Sequence, residues 1–214
     1  MYISDSIIKR AINNVYFIWG RGKTTIANLL NEKYGFYVYS TDNAKDYHWG
    51  EANPEEQPYM CRNYIKEYGV KSFWELPKEV IADREYHIQK EVTPMIIVDL
   101  IALAKKHKII ICEGDIDYHT IAPIATHTVH LRNCGKEFDW FNRPDHSNLN
   151  EIKNRTDLSE TEKEAFIQNA YAAVSCDQTV LPDWVLELNI KNIDWNNDTG
   201  VERTLADVAE YFSF

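Results

Sequence analysis

Five apolar residues, Val15-Tyr16-Phe17-Ile18-Trp19, run unbroken into Gly20-Arg21-Gly22, and Lys23-Thr24-Thr25 follows at once. This junction restricts the fold more than any other part of the chain. A continuous β-branched and aromatic run fits a strand buried on both faces, the environment of a parallel sheet. After the glycines, Ile26, Leu29, Leu30 and Tyr34 recur at helical spacing. The spacing predicts a helix over 23–34, ended by Gly35. Phe36-Tyr37-Val38-Tyr39 reads as a second strand closing on a polar turn, Ser40-Thr41-Asp42-Asn43. Strand, glycine turn, helix and strand together make a βαβ unit.

The rest of the chain continues the alternation. Residues 44–90 are rich in Tyr, Trp, Glu and Lys, with Pro54, Pro58 and Pro77 punctuating short helical pieces. Thr93-Pro94 reads as a helix start, with Thr93 as N-cap and Pro94 at the first helical position. That helix is expected to reach Lys105-Lys106-His107, whose charge suits a C-terminal dipole. Lys108 to Cys112 forms a third buried strand, followed by Glu113-Gly114-Asp115. A fourth strand is predicted at 126–131 and a polar irregular stretch at 133–154. Ser159 and Glu162 form a capping box that opens a helix reaching Asp177, with Phe166, Ala170, Ala173 and Val174 on its apolar face. A fifth strand follows at 190–195. Val201, Leu205, Val208, Ala209 and Phe212 stripe a last helix. Strands alternating with helices imply a parallel sheet covered on both sides. In such sheets ligands bind beyond the C-terminal strand ends, where Gly20, Asp42 and Glu113 all fall.

Composition narrows the function classes. The chain has 214 residues, 44% of them hydrophobic, and a formal charge of −10. One domain is expected over 1–214, with 44–90 as a helical substrate-side region and about 133–178 as a lid-like segment. An acidic surface disfavours broad nucleic acid binding, which depends on Lys and Arg displacing counterions. No apolar stretch reads as a signal peptide, and Met95 to Ala104 is too short to span a bilayer. Cys61, Cys112, Cys134 and Cys176 form no CxxC pair, and reduced thiols in a cytoplasmic protein are expected.

The Gly20–Thr25 turn carries the chemistry. Glycines let backbone N–H groups face an anion, and the helix N-terminus adds partial positive charge. Lys23 is placed to reach terminal phosphate oxygens and the Thr24 hydroxyl to hold Mg²⁺. The usual spacing is GxxxxGK[ST]; here only Arg21 separates the glycines, so the loop is about three residues short. The amides of Gly22 to Thr25 still suffice for one anion. The competing reading is a glycine-rich connection with Lys23 merely solvated. Asp42 either orients an acceptor hydroxyl or caps a turn, and Glu113 either acts near Mg²⁺ and substrate or is a solvated strand end. Arg84, Arg132, Arg143 and Arg155 are candidates for neutralising a phosphoryl group, although surface arginines are commonplace. Arg143 and Arg155 precede the capped helix, which itself has no arginine. They would contact a nucleotide if that segment folds over the site. His127 and His130, three apart on a strand, point to opposite faces and make no metal pair. The Tyr and Trp residues between Tyr37 and Trp74 read as packing more readily than as a pocket for a flat ligand.

Tyr16-Phe17-Ile18, Gly22-Lys23-Thr24-Thr25 and Lys33-Tyr34-Gly35-Phe36-Tyr37 resemble the start of bacterial P-loop small-molecule kinases of the nucleoside/nucleotide kinase-like and shikimate kinase-like groups. Ile109-Ile110-Ile111-Cys112-Glu113-Gly114 is similar to their third-strand region, and 190–212 to their closing strand and helix. The resemblance implies a three-layer α/β/α fold with a five-stranded parallel sheet in the order 2-3-1-4-5. It implies ATP and Mg²⁺ as cofactors. By it, Lys23 matches the Walker lysine, Thr24 the hydroxyl on the Mg²⁺ side, and Asp42 the acid after the second strand, with Thr24 and Asp42 the expected Mg²⁺-side residues. The expected activity is ATP-dependent phosphoryl transfer to a small hydroxyl-bearing metabolite. The alternative is a degenerate, inactive kinase fold that binds a ligand or a partner.

Overall fold

The computed structural model describes residues 4–133, 147–174, 183–195 and 200–214. Five strands form its centre: β1 (Val15–Gly20), β2 (Tyr37–Ser40), β3 (Ile110–Glu113), β4 (His127–Asn133) and β5 (Lys191–Trp195). Their order is β2-β3-β1-β4-β5, and every pairing is parallel. This is the expected 2-3-1-4-5 sheet. The buried runs Val15–Trp19 and Ile110–Cys112 occupy its interior, while the more polar β2 and β5 take the edges, as two-sided burial requires.

Helices cover both faces. In chain order they are α1 (Asp5–Ala11), α2 (Lys23–Tyr34), α3 (Thr41–Trp49), α4 (Pro58–Cys61), α5 (Tyr64–Tyr68), α6 (Lys78–Ala104), α7 (Tyr118–Ile121), α8 (Ser147–Asn154), α9 (Glu160–Val174), α10 (Asp183–Glu187) and α11 (Gly200–Phe212). Strand alternation divides the core in two. Val15, Phe17 and Trp19 pack with α6 residues Ile88, Val92, Ile96 and Leu100. On the other face Ile18, Ile111 and Val129 pack with Ile26, Ala27 and Leu30 of α2 and with Val208, Ala209 and Phe212 of α11. Three layers result.

The expected helix start at Thr93-Pro94 is instead the interior of the 27-residue α6. Proline removes one N–H from the helical ladder, and the neighbouring Thr93 hydroxyl is bonded on both sides. It donates to the Gln89 carbonyl at 2.6 Å and accepts the Asp117 N–H at 3.0 Å. The apolar face of the segment before Pro94 holds the helix together, with Ile81, Ile88 and Val92 all buried. At the far end, α6 stops at Ala104, short of the lysines. The Asn14 side-chain amide donates to the carbonyls of Ala104 and His107, satisfying acceptors that a helix end leaves open. The polar stretch before Asn154 contains α8. The capping box of α9 forms as expected: Glu162 accepts from the Ser159 N–H at 2.8 Å, and the Glu162 N–H donates to the Ser159 hydroxyl at 3.3 Å.

Candidate phosphate-binding site

At the C-terminal end of β1 the chain turns within three residues. Gly20 has φ 87°, and a Cβ there would stand 2.1 Å from the Leu131 carbonyl oxygen, so no other residue fits. The Arg21 N–H donates to that same carbonyl at 2.9 Å, extending the β1–β4 pairing one step past the strand. Gly22, at φ 86°, begins α2. Its Cα faces the Trp195 indole, which a Cβ would approach to 3.1 Å. The indole N–H donates to the Arg21 carbonyl at 2.8 Å. The end of β5 therefore holds the shortened turn. The first N–H groups of a helix lack intrahelical partners, and no side chain caps those of α2. Trp19 packs against Tyr118 and Trp184 on the face away from α2, leaving the turn clear.

Three strand ends deliver side chains to this helix tip. Thr24 donates its hydroxyl hydrogen to Oε2 of Glu113 at 2.7 Å. Glu113 is the last residue of β3 and only 2% exposed. The Lys23 ammonium lies 3.6 Å from Oδ1 of Asp115. Between those acids, Gly114 has φ 122°, and a Cβ would come within 2.0 Å of the Thr41 hydroxyl. Thr41 donates that hydroxyl to the Asp115 carbonyl at 3.0 Å, which ties the start of α3 to the turn after β3. The polar turn expected at Ser40–Asn43 is thus the first turn of α3, and it carries Asp42. Asp42 is exposed, yet its carboxyl pKa is raised. Desolvation by its surroundings is the main cause and the Asp115 charge the next; Lys23 and Lys45 oppose the rise, while Glu113 adds to it.

Lys23, Thr24, Asp42 and Glu113, all named from the sequence, therefore gather in one place, and Asp115 joins them. Asp115 was visible as an acid one glycine beyond Glu113, but only the Gly114 turn aims it at Lys23. Thr25 is exposed on the first turn of α2. Arg155 is engaged elsewhere: its Nε and Nη2 donate to Asp157 at 2.9 and 2.8 Å, and Nη1 donates to Glu75. Arg143 lies outside the described residues. Arg132 pairs with Asp194 across β4 and β5. His127 stacks on Tyr16, while His130 bonds Asn192 and meets Trp184 on the other face.

The donor set suits a Mg²⁺-nucleotide. Mg²⁺ is bound through one or two carboxylates together with substrate phosphates rather than in an all-protein cage. Among the described residues no three His, Cys, Asp or Glu side chains form a metal cluster. A threonine hydroxyl beside a buried carboxylate, next to a lysine at a bare helix tip, is the oxygen-and-cation arrangement such a ligand needs.

A parallel 2-3-1-4-5 sheet with a strand, glycine turn and Lys-Thr helix at its centre is a P-loop kinase-like fold. No known protein family matches the chain, and no curated protein sequence does. Among solved structures it is similar to a dephospho-CoA kinase from Campylobacter jejuni, at 14% identity and a TM-score of 0.40, over 94% of this chain and 96% of that one. So loose a likeness adds nothing to what the strand order already establishes. Among the described residues no helix is long and apolar enough to cross a membrane.

Proposed function

We propose that the protein is a small-molecule kinase that transfers a phosphoryl group from Mg²⁺-bound ATP to a hydroxyl-bearing metabolite. The observation that carries this reading is the Thr24–Glu113 hydrogen bond beside Lys23 at the uncapped tip of α2. Bound Mg·ATP supplies the phosphoryl group and charge neutralisation at its oxygens. The amides of Gly22 to Thr25 bind phosphate oxygens through hydrogen bonds and the local helix dipole. Lys23, released from Asp115, pairs with a terminal phosphate oxygen. The Thr24 hydroxyl and the Glu113 carboxylate would hold the metal side. Asp42 orients the acceptor hydroxyl and takes its proton late, as a loose transition state requires. Its raised pKa brings it closer to the proton it receives. The helices within 44–90 form the acceptor side; of the lid-like segment at about 133–178, residues 134–146 and 175–178 lie outside the described residues. A charge of −10 supports action on small molecules rather than on nucleic acid.

The test combines binding and turnover. Ligand binding to the native state raises stability by RT ln(1 + [L]/Kd), about 2.7 kcal/mol at a hundredfold excess over Kd. Mg·ATP should therefore raise the melting temperature of the wild-type chain and not of Lys23→Ala. Labelled γ-phosphate should then pass to an acceptor from a panel of small alcohols. No shift at millimolar Mg·ATP, with both chains behaving alike, sinks the kinase reading.

One observation favours a second reading. The Arg21 N–H is spent on Leu131 and the Arg21 carbonyl on Trp195, so the short turn offers only the amides that follow. A turn of that size suits a single phosphate, as in a binding protein without turnover. A shift with inorganic phosphate or a monophosphate, but none with Mg·ATP, would select it.

A further inference from the structure

His130 packs directly against the phosphate turn. Trp19, His130 and Asn192 lie opposite one another across β1, β4 and β5, so their side chains share one face of the sheet. His130 is only 5% exposed. Its ring meets Trp184 of α10 edge-on, with centroids 5.3 Å apart. Its Nε2 and Cδ2 atoms reach Gly20, where a Cβ would stand 2.9 and 3.0 Å from them. The absent side chain of Gly20 is what lets the imidazole touch the turn. Leu131, the next residue, holds the Arg21 N–H through its carbonyl. The end of β4 therefore supports the turn with a backbone oxygen and a buried imidazole.

The hydrogen bonds around the ring fix its tautomer. The Asn192 amide nitrogen donates to Asp194, a carboxylate that only accepts. The Asn192 oxygen is then the atom that meets Nδ1 of His130, at 2.9 Å, so Nδ1 carries the hydrogen. Nε2 keeps a lone pair beside Gly20, and among the described residues no hydrogen bond reaches it. It is the position left for a proton. Trp19 and Gly20 face the ring from β1, Asn192 from β5 and Trp184 from α10, and none of these is titratable; Tyr118 of α7 stacks on Trp184. Burial is the largest influence on the imidazole and lowers its pKa below 6.5. The Asn192 bond opposes that, Arg132 adds to it and Asp194 opposes it.

We infer that His130 is a proton-linked positioning residue of the anion site: an anion at the amides of Gly22 to Thr25 draws a proton from water onto Nε2. This rests on the reading of that turn as an anion site, not on phosphoryl transfer. A nearby opposite charge favours the charged form of an ionisable group. The rings of Trp19 and Trp184 keep water from the imidazole, so the attraction is weakly screened. Glu113 and Asp115 already stand at the helix tip, where Asp115 occupies Lys23. An incoming anion adds charge to that acidic site, and a proton at Nε2 offsets it across Gly20. Linkage is reciprocal: the anion raises the proton affinity of His130 by the factor by which the proton raises anion affinity. Anion affinity is therefore highest below the pKa of the free ring and falls as pH rises through the higher pKa of the complex.

Sulfate is the probe, because it does not itself titrate near neutral pH. The ring nitrogen resonances of His130, assigned through bonds, are followed in the wild-type chain from about pH 7.5 to 5, the range in which histidine changes charge. The series is repeated with sulfate enough to saturate the amide shifts of Gly22 to Thr25. The free ring should show the Nδ1–H tautomer at the upper pH. Sulfate should move its titration midpoint up by about 0.7 pH, the counterpart of a roughly fivefold coupling. Sulfate affinity should rise by about that factor as the pH falls. His130→Asn keeps a side-chain N–H for Asn192 and should lose most of that rise. The inference is overturned if the amides shift while the His130 midpoint stays still, and the anion site then stands. If neither responds, the anion site falls with it. An Nε2–H tautomer in the free ring overturns it as well. Binding of Mg·ATP is read separately and bears on the kinase reading alone.

Discussion

At the scale of single residues, the site depends on a few contacts that no neighbouring group can replace. Gly114 is one. Alanine there meets the Thr41 hydroxyl and must hold φ near 122°, a conformation costing about 1–3 kcal/mol for a side-chain residue. Gly114→Ala should lower the unfolding free energy measured in urea by at least that amount and move Asp115 and Asp42 apart, reducing the proposed phosphoryl transfer beyond the loss of fold. Asp42 gives a prediction with a sign. Its folded pKa is raised above 3.8, so the folded chain holds this proton more tightly than the unfolded one. The associated stability is present below pH 3.8 and lost as pH rises through the folded pKa. Asp42→Asn should therefore melt higher than wild type at pH 7, with the gap closing in acid, while its turnover disappears. A variant less stable than wild type at neutral pH would contradict that account of its surroundings.

At the scale of elements, α6 shows how a local signal is overruled. Thr93-Pro94 has the composition of a helix start, yet the buried face running from Ile81 to Leu100 contributes more than one missing N–H costs. Beside the proline, the Thr93 hydroxyl fastens the helix to the segment after β3. Thr93→Val leaves the part-buried Asp117 N–H without its acceptor and should cost about 1 kcal/mol in chemical denaturation. The turn before α2 depends on β5 in the same way. Trp195→Phe keeps the ring beside Gly22 and removes the N–H that holds the Arg21 carbonyl. Anion binding at the turn should weaken while the melting temperature stays near that of wild type. Unchanged phosphate affinity would make the indole a packing residue only.

For the whole molecule, the sheet has a pH dependence of its own. His127 and His130 sit on opposite faces of β4, and burial lowers both below 6.5. The unfolded chain then takes up protons at a pH where the folded one does not. Stability is present above pH 6.5 and falls as the pH drops toward the folded values. Thermal melts from pH 7 to 5 should show that decline, and His130→Gln should flatten part of it.

The parallel sheet, its glycine turn and the two-sided packing of β1 and β3 were all legible in the chain. Apolar periodicity and glycine conformation act over a few residues and leave their mark in local order. So were Lys23, Thr24, Asp42 and Glu113, because strand ends in such a sheet converge. The pairing of Thr24 with Glu113 and the arrival of Asp115 beside Lys23 join positions far apart along the chain. They follow from strand register and helix docking, which bring side chains within hydrogen-bonding reach only after the core has closed. A hydrogen bond needs atoms aligned within tenths of an ångström, and no pattern of residue types along a chain carries that information.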